Sequence, residues 1–312
     1  MDNVDEIFES KDNNRINDFI NTIISENVDM QNNETENTIL ISACLYERFD
    51  LIDNILEHKA NPNIRNKESC NALWYAITDN SPTSSLIQEI TLKFLKYGAD
   101  INSINNKGMT ILHQYAREGT DIQAFKFLID NKADINIKDM YGSTALYDTC
   151  CRKEDSLSRD MIQILINNGA DINIQTITGK QTALHYACGW GLTKTVQLLV
   201  NNGANIYLLD KYGDLPFHRA VKQYAYNTLK YLISIYKNVN MVDNDGFTLL
   251  HNICVYRNHT FDQIQLLLDN NADISIQINE GWTVLHILCD ECDDTTEDNR
   301  DTYSVAMILE NY

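Results

Sequence analysis

Proline is scarce in this sequence, and long apolar stretches are missing. The chain has only 3 prolines among 312 residues, and no glycine- and serine-rich linker interrupts it, which argues for one array rather than several separate domains. No apolar run approaches the roughly 20 residues that a membrane-spanning helix needs. The N-terminus is acidic, whereas a secretory signal begins with basic residues. These absences predict an intracellular, cytoplasmic protein with no membrane contact.

Basic residues are outnumbered. The chain has 25 lysines and arginines against 44 aspartates and glutamates, and its formal net charge is −19. A surface with this charge repels phosphate backbones, so nucleic acid is not expected as a partner. The charge favours a protein partner with a basic surface.

Enzyme signatures are also missing. The sequence has no phosphate-binding loop, no dinucleotide-binding glycine motif, no nucleophile elbow and no zinc-protease helix. Cys289 and Cys292 have the spacing of half a zinc site, but no second such pair lies nearby. The sequence therefore predicts no catalytic residue, no metal site and no cofactor.

Two short patterns return along the chain at a nearly fixed interval. A-D-I-N occurs at 99–102, 133–136 and 170–173, and T-x-L-H occurs at 110–113, 182–185, 248–251 and 283–286, just after a glycine. Glycine supplies the positive φ of a tight turn, and threonine is a good N-cap. We therefore expect a helix to begin after each threonine, and the apolar cluster that follows has the spacing of a returning helix. Each unit is predicted to be a helix pair with a hairpin.

The glycines of these turns recur every 33 to 37 residues, which divides the chain. Residues 1–35 lack both patterns but carry apolar residues at helical spacing, as a polar-faced N-terminal helical cap does. The spacing predicts an all-α fold of about eight helix-pair units joined by β-hairpin loops. The predicted units are 36–65, 66–104, 105–138, 139–175, 176–209, 210–241, 242–277 and 278–312.

These patterns and their period resemble the ankyrin repeat family. The resemblance implies a solenoid in which stacked units share one core. It also implies a non-catalytic protein that binds a partner protein in a concave groove, formed by hairpin tips and by the exposed face of each first helix.

The resemblance places the groove at defined positions of each unit. First-helix residues four and eight positions after the threonine are expected to be exposed: Tyr75 and Asp79, Gln114 and Glu118, Asp148 and Arg152, Tyr186 and Trp190, Arg219 and Gln223, Asn252 and Tyr256. Tyrosine, tryptophan and arginine are enriched at binding hot spots. The predicted protein-binding residues are therefore Tyr75, Tyr141, Arg152, Tyr186, Trp190, Tyr212, Arg219 and Tyr256. The alternative, that the aromatic residues pack between adjacent units, stays open.

Cysteine and histidine recur in fixed positions of the units. Cys44, Cys150, Cys188, Cys254 and Cys289 each lie six residues after the threonine position, where a small core residue is expected. We expect these five thiols to be buried and reduced, and Cys70 and Cys292 to be reactive. The histidine of T-x-L-H is expected to bond to hairpin backbone rather than to a metal.

Further resemblances concern the source and a modification. The Asn-, Ile- and Asp-rich composition of segments such as 165–173, together with long loops between helices, resembles that of poxvirus ankyrin proteins. That implies a viral host-interaction protein or, as the alternative, the substrate-recognition part of a ubiquitin ligase adaptor or of a larger enzyme. Asn136 and Asn173 resemble sites at which asparaginyl hydroxylases modify ankyrin hairpins. The competing interpretation is that these asparagines stabilise the turn.

Overall fold

The secondary structure is helical. The computed structural model describes residues 4–78, 83–152, 156–222, 225–255 and 261–291, and within them β-pairing is limited to an isolated antiparallel bridge between Gln31 and Thr38. The helices are α1 (Val4–Glu9), α2 (Asn13–Glu26), α3 (Ile39–Leu45), α4 (Ile52–Glu57) after a short 3₁₀ turn (Phe49–Leu51), α5 (Ala72–Thr78), α6 (Ser84–Lys96), α7 (Ile111–Glu118), α8 (Ile122–Asp130), α9 (Ala145–Cys150), α10 (Ser156–Asn167), α11 (Ala183–Gly189), α12 (Thr193–Asn201), α13 (Pro216–Lys222), α14 (Tyr226–Ile235), α15 (Leu249–Val255), α16 (Phe261–Leu268) and α17 (Val284–Glu291).

The chain divides into two compact blocks. The N-terminal block comprises 1–152 with 160–170, and the C-terminal block comprises 153–159 with 171–312. Within the N-terminal block the first helices α3, α5, α7 and α9 pack side by side, and within the C-terminal block α11, α13, α15 and α17 do the same. The all-α repeat fold is thus confirmed, while the unit boundaries and their number stay predictions.

Threonine starts the first helix of the repeats, as predicted. The Thr110 hydroxyl accepts a hydrogen bond from the His113 backbone N–H at 3.4 Å, and His113 Nδ1 accepts one from the Thr110 N–H at 3.1 Å. Thr182 and His185 form the same reciprocal capping box. Two otherwise unpaired N–H groups are satisfied at each helix start, which explains why this threonine and histidine recur together.

A tight turn precedes each first helix and touches the turn of the next repeat. Asp139 N–H donates to Ser143 O at 2.9 Å and Gly142, with φ of 78°, closes the turn. Met140 N–H donates to Lys107 O in the preceding turn at 2.8 Å. These bonds close the turns and link neighbouring repeats, but no paired strands form among the described residues, so the β-hairpin stays a prediction.

The asparagine of A-D-I-N joins neighbouring repeats. The side-chain amide of Asn102 donates to Lys132 O at 3.2 Å and accepts from Asp134 N–H at 2.8 Å. Asn63 bonds in the same way to Gly98 O at 2.8 Å and to Asp100 N–H at 2.7 Å. We call this pair of bonds the asparagine bridge. It gives the short A-D-I-N pattern a structural role at the junction between repeats.

The repeated cysteines are core residues with one exception. Cys44, Cys150, Cys188 and Cys254 are buried, and burial raises the pKa of the Cys44, Cys150 and Cys188 thiols. The prediction of burial is wrong for Cys289, which is exposed. It lies near the C-terminal end of α17.

The prediction that Cys70 is reactive is also wrong. Its side chain is only 3 % exposed, because it lies inside the turn before α5 and its backbone N–H bonds to Asn66 Oδ1 at 3.1 Å. Cys292 lies outside the described residues, so its predicted reactivity is unaffected by the structure. Cys151, for which no exposure was predicted, is exposed.

Candidate protein-binding surface

Among the described aromatic residues that were predicted to bind a partner, Trp190 is the most exposed. It follows α11 as its C-cap and is 64 % exposed, with its ring centroid 5.9 Å from that of Tyr186. Gly191 comes next with φ of 66°, and a Cβ added there would lie 2.9 Å from the Ala225 Cβ. Because only glycine fits this turn, the chain bends sharply after Trp190 while the indole projects outward, supported on one side by the half-buried Tyr186.

Arg219 lies in the neighbouring repeat of the same block. A Cβ added at Gly189 would lie 3.8 Å from the Arg219 Cβ, which places the end of α11 beside this arginine. Arg219 Nε donates to Asp210 Oδ2 at 2.8 Å and lies 3.3 Å from Asp214 Oδ2, and both carboxylates are almost fully buried. The charge of Arg219 is therefore balanced inside the protein. It does not act as a free cation for an acidic partner.

Tyr212 extends the same surface at the turn before α13. Its ring is 55 % exposed, with Lys211 Nζ 4.7 Å from the ring centroid and Arg219 Cζ 5.5 Å from it. Cations on the ring hold it in one orientation. Tyr186, Trp190, Tyr212 and Arg219 are thus brought into two adjacent repeats of the C-terminal block, and we call them the aromatic patch.

Tyr75 belongs to a polar network in the N-terminal block. Its hydroxyl accepts from Asn66 Nδ2 at 2.9 Å and donates to Glu68 at 2.8 Å. Asn66 also donates to Asn37, which donates to Asp5 of α1 at 3.2 Å. Burial raises the pKa of Tyr75. The hydroxyl is thus held within the fold, and the predicted contact of Tyr75 with a partner remains a prediction.

Two residues predicted to be exposed are buried. Asp148 and Asn252 are each only 3 % exposed. The position four residues after the threonine faces the preceding repeat: Asp148 Oδ1 lies 3.8 Å from Arg117 Nε of α7. At Asn252, the side-chain amide turns back to Thr248 O at 3.3 Å. The spacing of residues along one helix could not reveal that a neighbouring repeat covers part of the face expected to be exposed.

The remaining predicted residues are found in separate places. Tyr141 is 50 % exposed at its turn. Arg152 is half-buried, and its Nη1 donates to Ala116 O at 3.3 Å. Asn136 donates to Gly169 O at 3.0 Å, and Asn173 accepts from Asn205 N–H at 2.7 Å. Those bonds agree with the turn-stabilising interpretation, and hydroxylation of Asn136 and Asn173 stays a prediction. Three predicted groove positions lie outside the described residues: Asp79, Gln223 and Tyr256.

Asp139 and Asp148 are two acidic residues of the predicted repeat at 139–175 that the sequence patterns did not single out as a pair. Asp139 accepts at Oδ1 from Tyr141 and Ser143 N–H at 2.9 and 2.8 Å. Burial raises the pKa of Asp148 to about 7. The charge of Arg117 opposes this shift, and the charge of Asp139 adds to it. The signal in the sequence was the spacing. Asp139 and Asp148 are nine positions apart, the same distance that separates Asp210 from Arg219.

Two histidines of T-x-L-H, His113 and His185, bond to the backbone of the following turn, as predicted. His113 Nε2 lies 3.1 Å from Ser143 O of the following turn, and His185 Nε2 lies 3.2 Å from Asp214 O. Burial lowers the pKa of both histidines. Among the residues that the structure describes, no group of three His, Cys, Asp or Glu side chains is arranged to hold a metal ion. No helix in the described ranges is long and apolar enough to cross a membrane.

Family models match most of the repeats seen in the structure. The model described as ankyrin repeats (3 copies) matches residues 84–176 and 157–243, and the model described as ankyrin repeat matches 245–279. The chain belongs to the ankyrin repeat family. Ankyrin repeats are generally protein–protein interaction modules, so the coarse functional prediction is confirmed at the level of the family.

Similar proteins come from distant organisms. A protein of Acanthamoeba polyphaga mimivirus, named as an ankyrin repeat protein, is 26 % identical over 256 residues, or 70 % of this chain and 32 % of its own length. Human inversin is 27 % identical over 163 residues, or 50 % of this chain and 15 % of its own. Alpha-latrotoxin-Lg1a of Latrodectus geometricus is 30 % identical over 132 residues, or 42 % and 9 %. The chain thus spans about a third or less of these relatives.

Proposed function

We propose that this ankyrin repeat protein is a non-catalytic module that binds a partner protein, with the aromatic patch as its contact centre. The exposure of Trp190 carries the proposal. An indole that is 64 % exposed and lies beside Tyr186, with ring centroids 5.9 Å apart, adds little to a core, while a rigid, accessible aromatic ring is the kind of anchor that dominates binding energy. Tyr141, at the turn of another repeat, and Tyr75, Arg152 and Tyr256 are proposed as outer contacts.

The chemistry of the patch favours a partner with a basic surface. Arg219 is balanced by Asp210 and Asp214, so the patch offers aromatic faces rather than a free positive charge. The chain as a whole has a net charge of −19, which attracts cationic surfaces and repels nucleic acid. Aromatic faces also bind cations directly. We place the protein in the cytoplasm, and in the cytoplasm of the host cell if its source is viral, as the mimivirus relative suggests.

The alternative is that the repeats are the targeting part of a larger assembly, such as a ubiquitin ligase adaptor or a larger enzyme. Its support is that the matched regions make up a third or less of each relative's length. Both proposals need the same binding surface. They differ in what is bound besides the target.

Affinity purification with the full chain as bait, followed by mass spectrometry, tests the proposal. Proteins retained by the parent and lost with Trp190→Ala are the expected partners. For a purified partner, Trp190→Ala should weaken binding by about 2 kcal/mol, or roughly 30-fold. Its melting temperature should barely change, because the indole faces solvent. Recovery of ubiquitin ligase subunits, unaffected by Trp190→Ala, would favour the alternative.

The matched control is Phe261→Ala. Phe261 starts α16 in the same block and is 54 % exposed, so its truncation removes a similar area of exposed aromatic surface from a second helix rather than from a first helix. We expect this variant to bind like the parent. Equal losses with both variants, or unfolding by Trp190→Ala with unchanged binding per folded molecule, would contradict the assignment of the aromatic patch.

A further inference from the structure

The carboxylate pair formed by Asp139 and Asp148 is the counterpart of a complete ion pair elsewhere in the chain. Asp139 and Asp210 begin equivalent turns, and each accepts at Oδ1 from the N–H groups two and four residues later. In the C-terminal block, Asp210 Oδ2 then receives the guanidinium of Arg219. In the N-terminal block the residue nine positions on is Asp148, so an acid occupies the position at which the other repeat has a cation.

Asp148 has an oxygen without a partner. Its side chain is only 4 % exposed, and no hydrogen bond to Oδ2 is found among the described residues. The nearest cation is Arg117, 3.8 Å from the other oxygen, and Arg117 Nη1 is directed to Met109 Sδ at 3.6 Å. A buried carboxylate in this setting either keeps a proton or takes up a cation, because an uncompensated buried charge is costly.

We propose that the pair of Asp139 and Asp148 is a subsite for an arginine side chain of the partner protein. The guanidinium would take the place that Arg219 has beside Asp210, and it would bond to two carboxylates at once, which its planar fork allows. Tyr141, 50 % exposed, would face it as Tyr212 faces Arg219. The biological role rests on the proposed protein binding, whereas the subsite itself can be tested without a partner.

The groups around Asp148 are consistent with this occupant. Arg117 covers the carboxylate from α7, and because its side chain is 47 % exposed it can move aside. Arg152, one turn further along the chain, is directed to Ala116 O instead. The pKa of Asp148, raised to about 7 by burial and by Asp139, means that below this pH a proton holds the place in the absence of a cation. Uptake of a guanidinium would release that proton, so binding should strengthen as the pH rises.

The test uses the full chain and N-acetyl-arginine amide as the probe, followed by amide NMR near pH 8. We expect saturable shifts of the Tyr141 and Ser143 amides, and no shift of the Tyr212 and Asp214 amides, since Arg219 already fills the equivalent place. N-acetyl-citrulline amide, which has nearly the same shape without the charge, is the matched probe and should cause no saturable shift.

Two variants decide the assignment. Asp148→Asn, which keeps the shape of the side chain, should weaken probe binding at least about tenfold. Asp148→Arg supplies the guanidinium within the chain and should abolish binding. Unchanged binding by Asp148→Asn, or no saturable shift in the parent, would overturn the subsite. Trp190→Ala should bind the probe normally, so failure here leaves the aromatic patch untouched, and failure of the aromatic patch leaves this subsite standing.

Discussion

Asp139 in the N-terminal block and Asp210 in the C-terminal block have the same place in their repeats but different partners. Asp210 meets Arg219 at hydrogen-bond distance, whereas the residue nine positions after Asp139 is the acid Asp148. The same nine-residue spacing at the start of the chain pairs Asn66 with Tyr75, by a neutral hydrogen bond of 2.9 Å. The ankyrin fold thus fixes the two positions and leaves their chemistry free. A position of that kind can be adapted to binding without disturbing the core.

The pair of Asp139 and Asp148 and the pair of Asp210 and Arg219 should differ most in how they make the free energy of unfolding depend on pH. Asp148 binds its proton more tightly in the folded chain than in the unfolded chain, so its contribution is fully present below the unfolded pKa near 4 and is lost as the pH rises towards 7. Asp148→Asn removes this loss. Because the pKa is raised from 3.8 to about 7, the variant should gain up to about 4 kcal/mol in free energy of unfolding at pH 8, and almost none near pH 4.

Urea denaturation of parent and variant across this pH range measures the effect. His113 acts in the opposite direction, because its lowered pKa costs stability as the pH falls below the unfolded value near 6.5. Subtracting the parent from the variant at each pH cancels that contribution. Asp18→Asn, which removes a carboxylate at an exposed position of α2, is measured as the control. A difference for Asp148→Asn that does not vary with pH would remove the carboxylate pair from the comparison.

Removing Arg219 from its pair with Asp210 should have the next largest effect on the free energy of unfolding. Arg219→Ala leaves Asp210 and Asp214 buried without their cation, which typically costs 3–5 kcal/mol. Because the Arg219 side chain is 21 % exposed, we expect about 3 kcal/mol, measured by urea denaturation at neutral pH. Arg117→Ala should cost less than about 1 kcal/mol, since that pair is 3.8 Å apart and its arginine is nearly half exposed. Similar losses for both variants would show that the two arginines hold their carboxylates equally well.

Sequence reasoning predicted the parts of the fold that repeat. The threonine N-cap, the turn glycine and the backbone-bonded histidine each satisfy a local need, so short patterns at Thr110, Gly142 and His185 were enough to find the helix starts and turns. These needs arise within one repeat or at its edge. They are the same in every copy, which is why the period was visible.

Burial at the junctions could not be predicted in the same way. Asp148 and Asn252 were expected on an exposed face because a helical pattern describes one helix without its neighbours. Cys70 was expected to be reactive because it lies outside the repeated cysteine position, yet it is buried. Whether such a position is covered depends on side chains about one repeat away, such as Arg117 beside Asp148. For the same reason the balanced charge of Arg219 was missed. The sequence named the four residues of the aromatic patch, but it did not reveal that Asp210 and Asp214 are buried beside Arg219.

The smallest expected effect concerns the asparagine bridge, which occurs in both blocks but is replaced at one junction of the C-terminal block. Asn102 makes both bonds of the bridge, while Tyr207 stands at the equivalent position of the repeat at 176–209 and packs edge-on against Tyr236, with ring centroids 5.6 Å apart. Asn102→Ala should lower the free energy of unfolding by about 1 kcal/mol, because two exposed hydrogen bonds are exchanged for bonds to water. Urea denaturation of the full chain measures this change.

Tyr207→Asn restores the A-D-I-N asparagine where the chain lacks it. Loss of the ring contact, worth about 1 kcal/mol, and gain of a bridge of similar strength should nearly cancel, so the melting temperature should change little. Tyr207→Ala is the matched control, because it loses the ring without gaining the bridge and should be destabilised by about 1 kcal/mol. If Tyr207→Asn is as unstable as Tyr207→Ala, the asparagine bridge does not form at this junction. The ring contact of Tyr207 with Tyr236 then links the repeats in a way that an asparagine cannot replace.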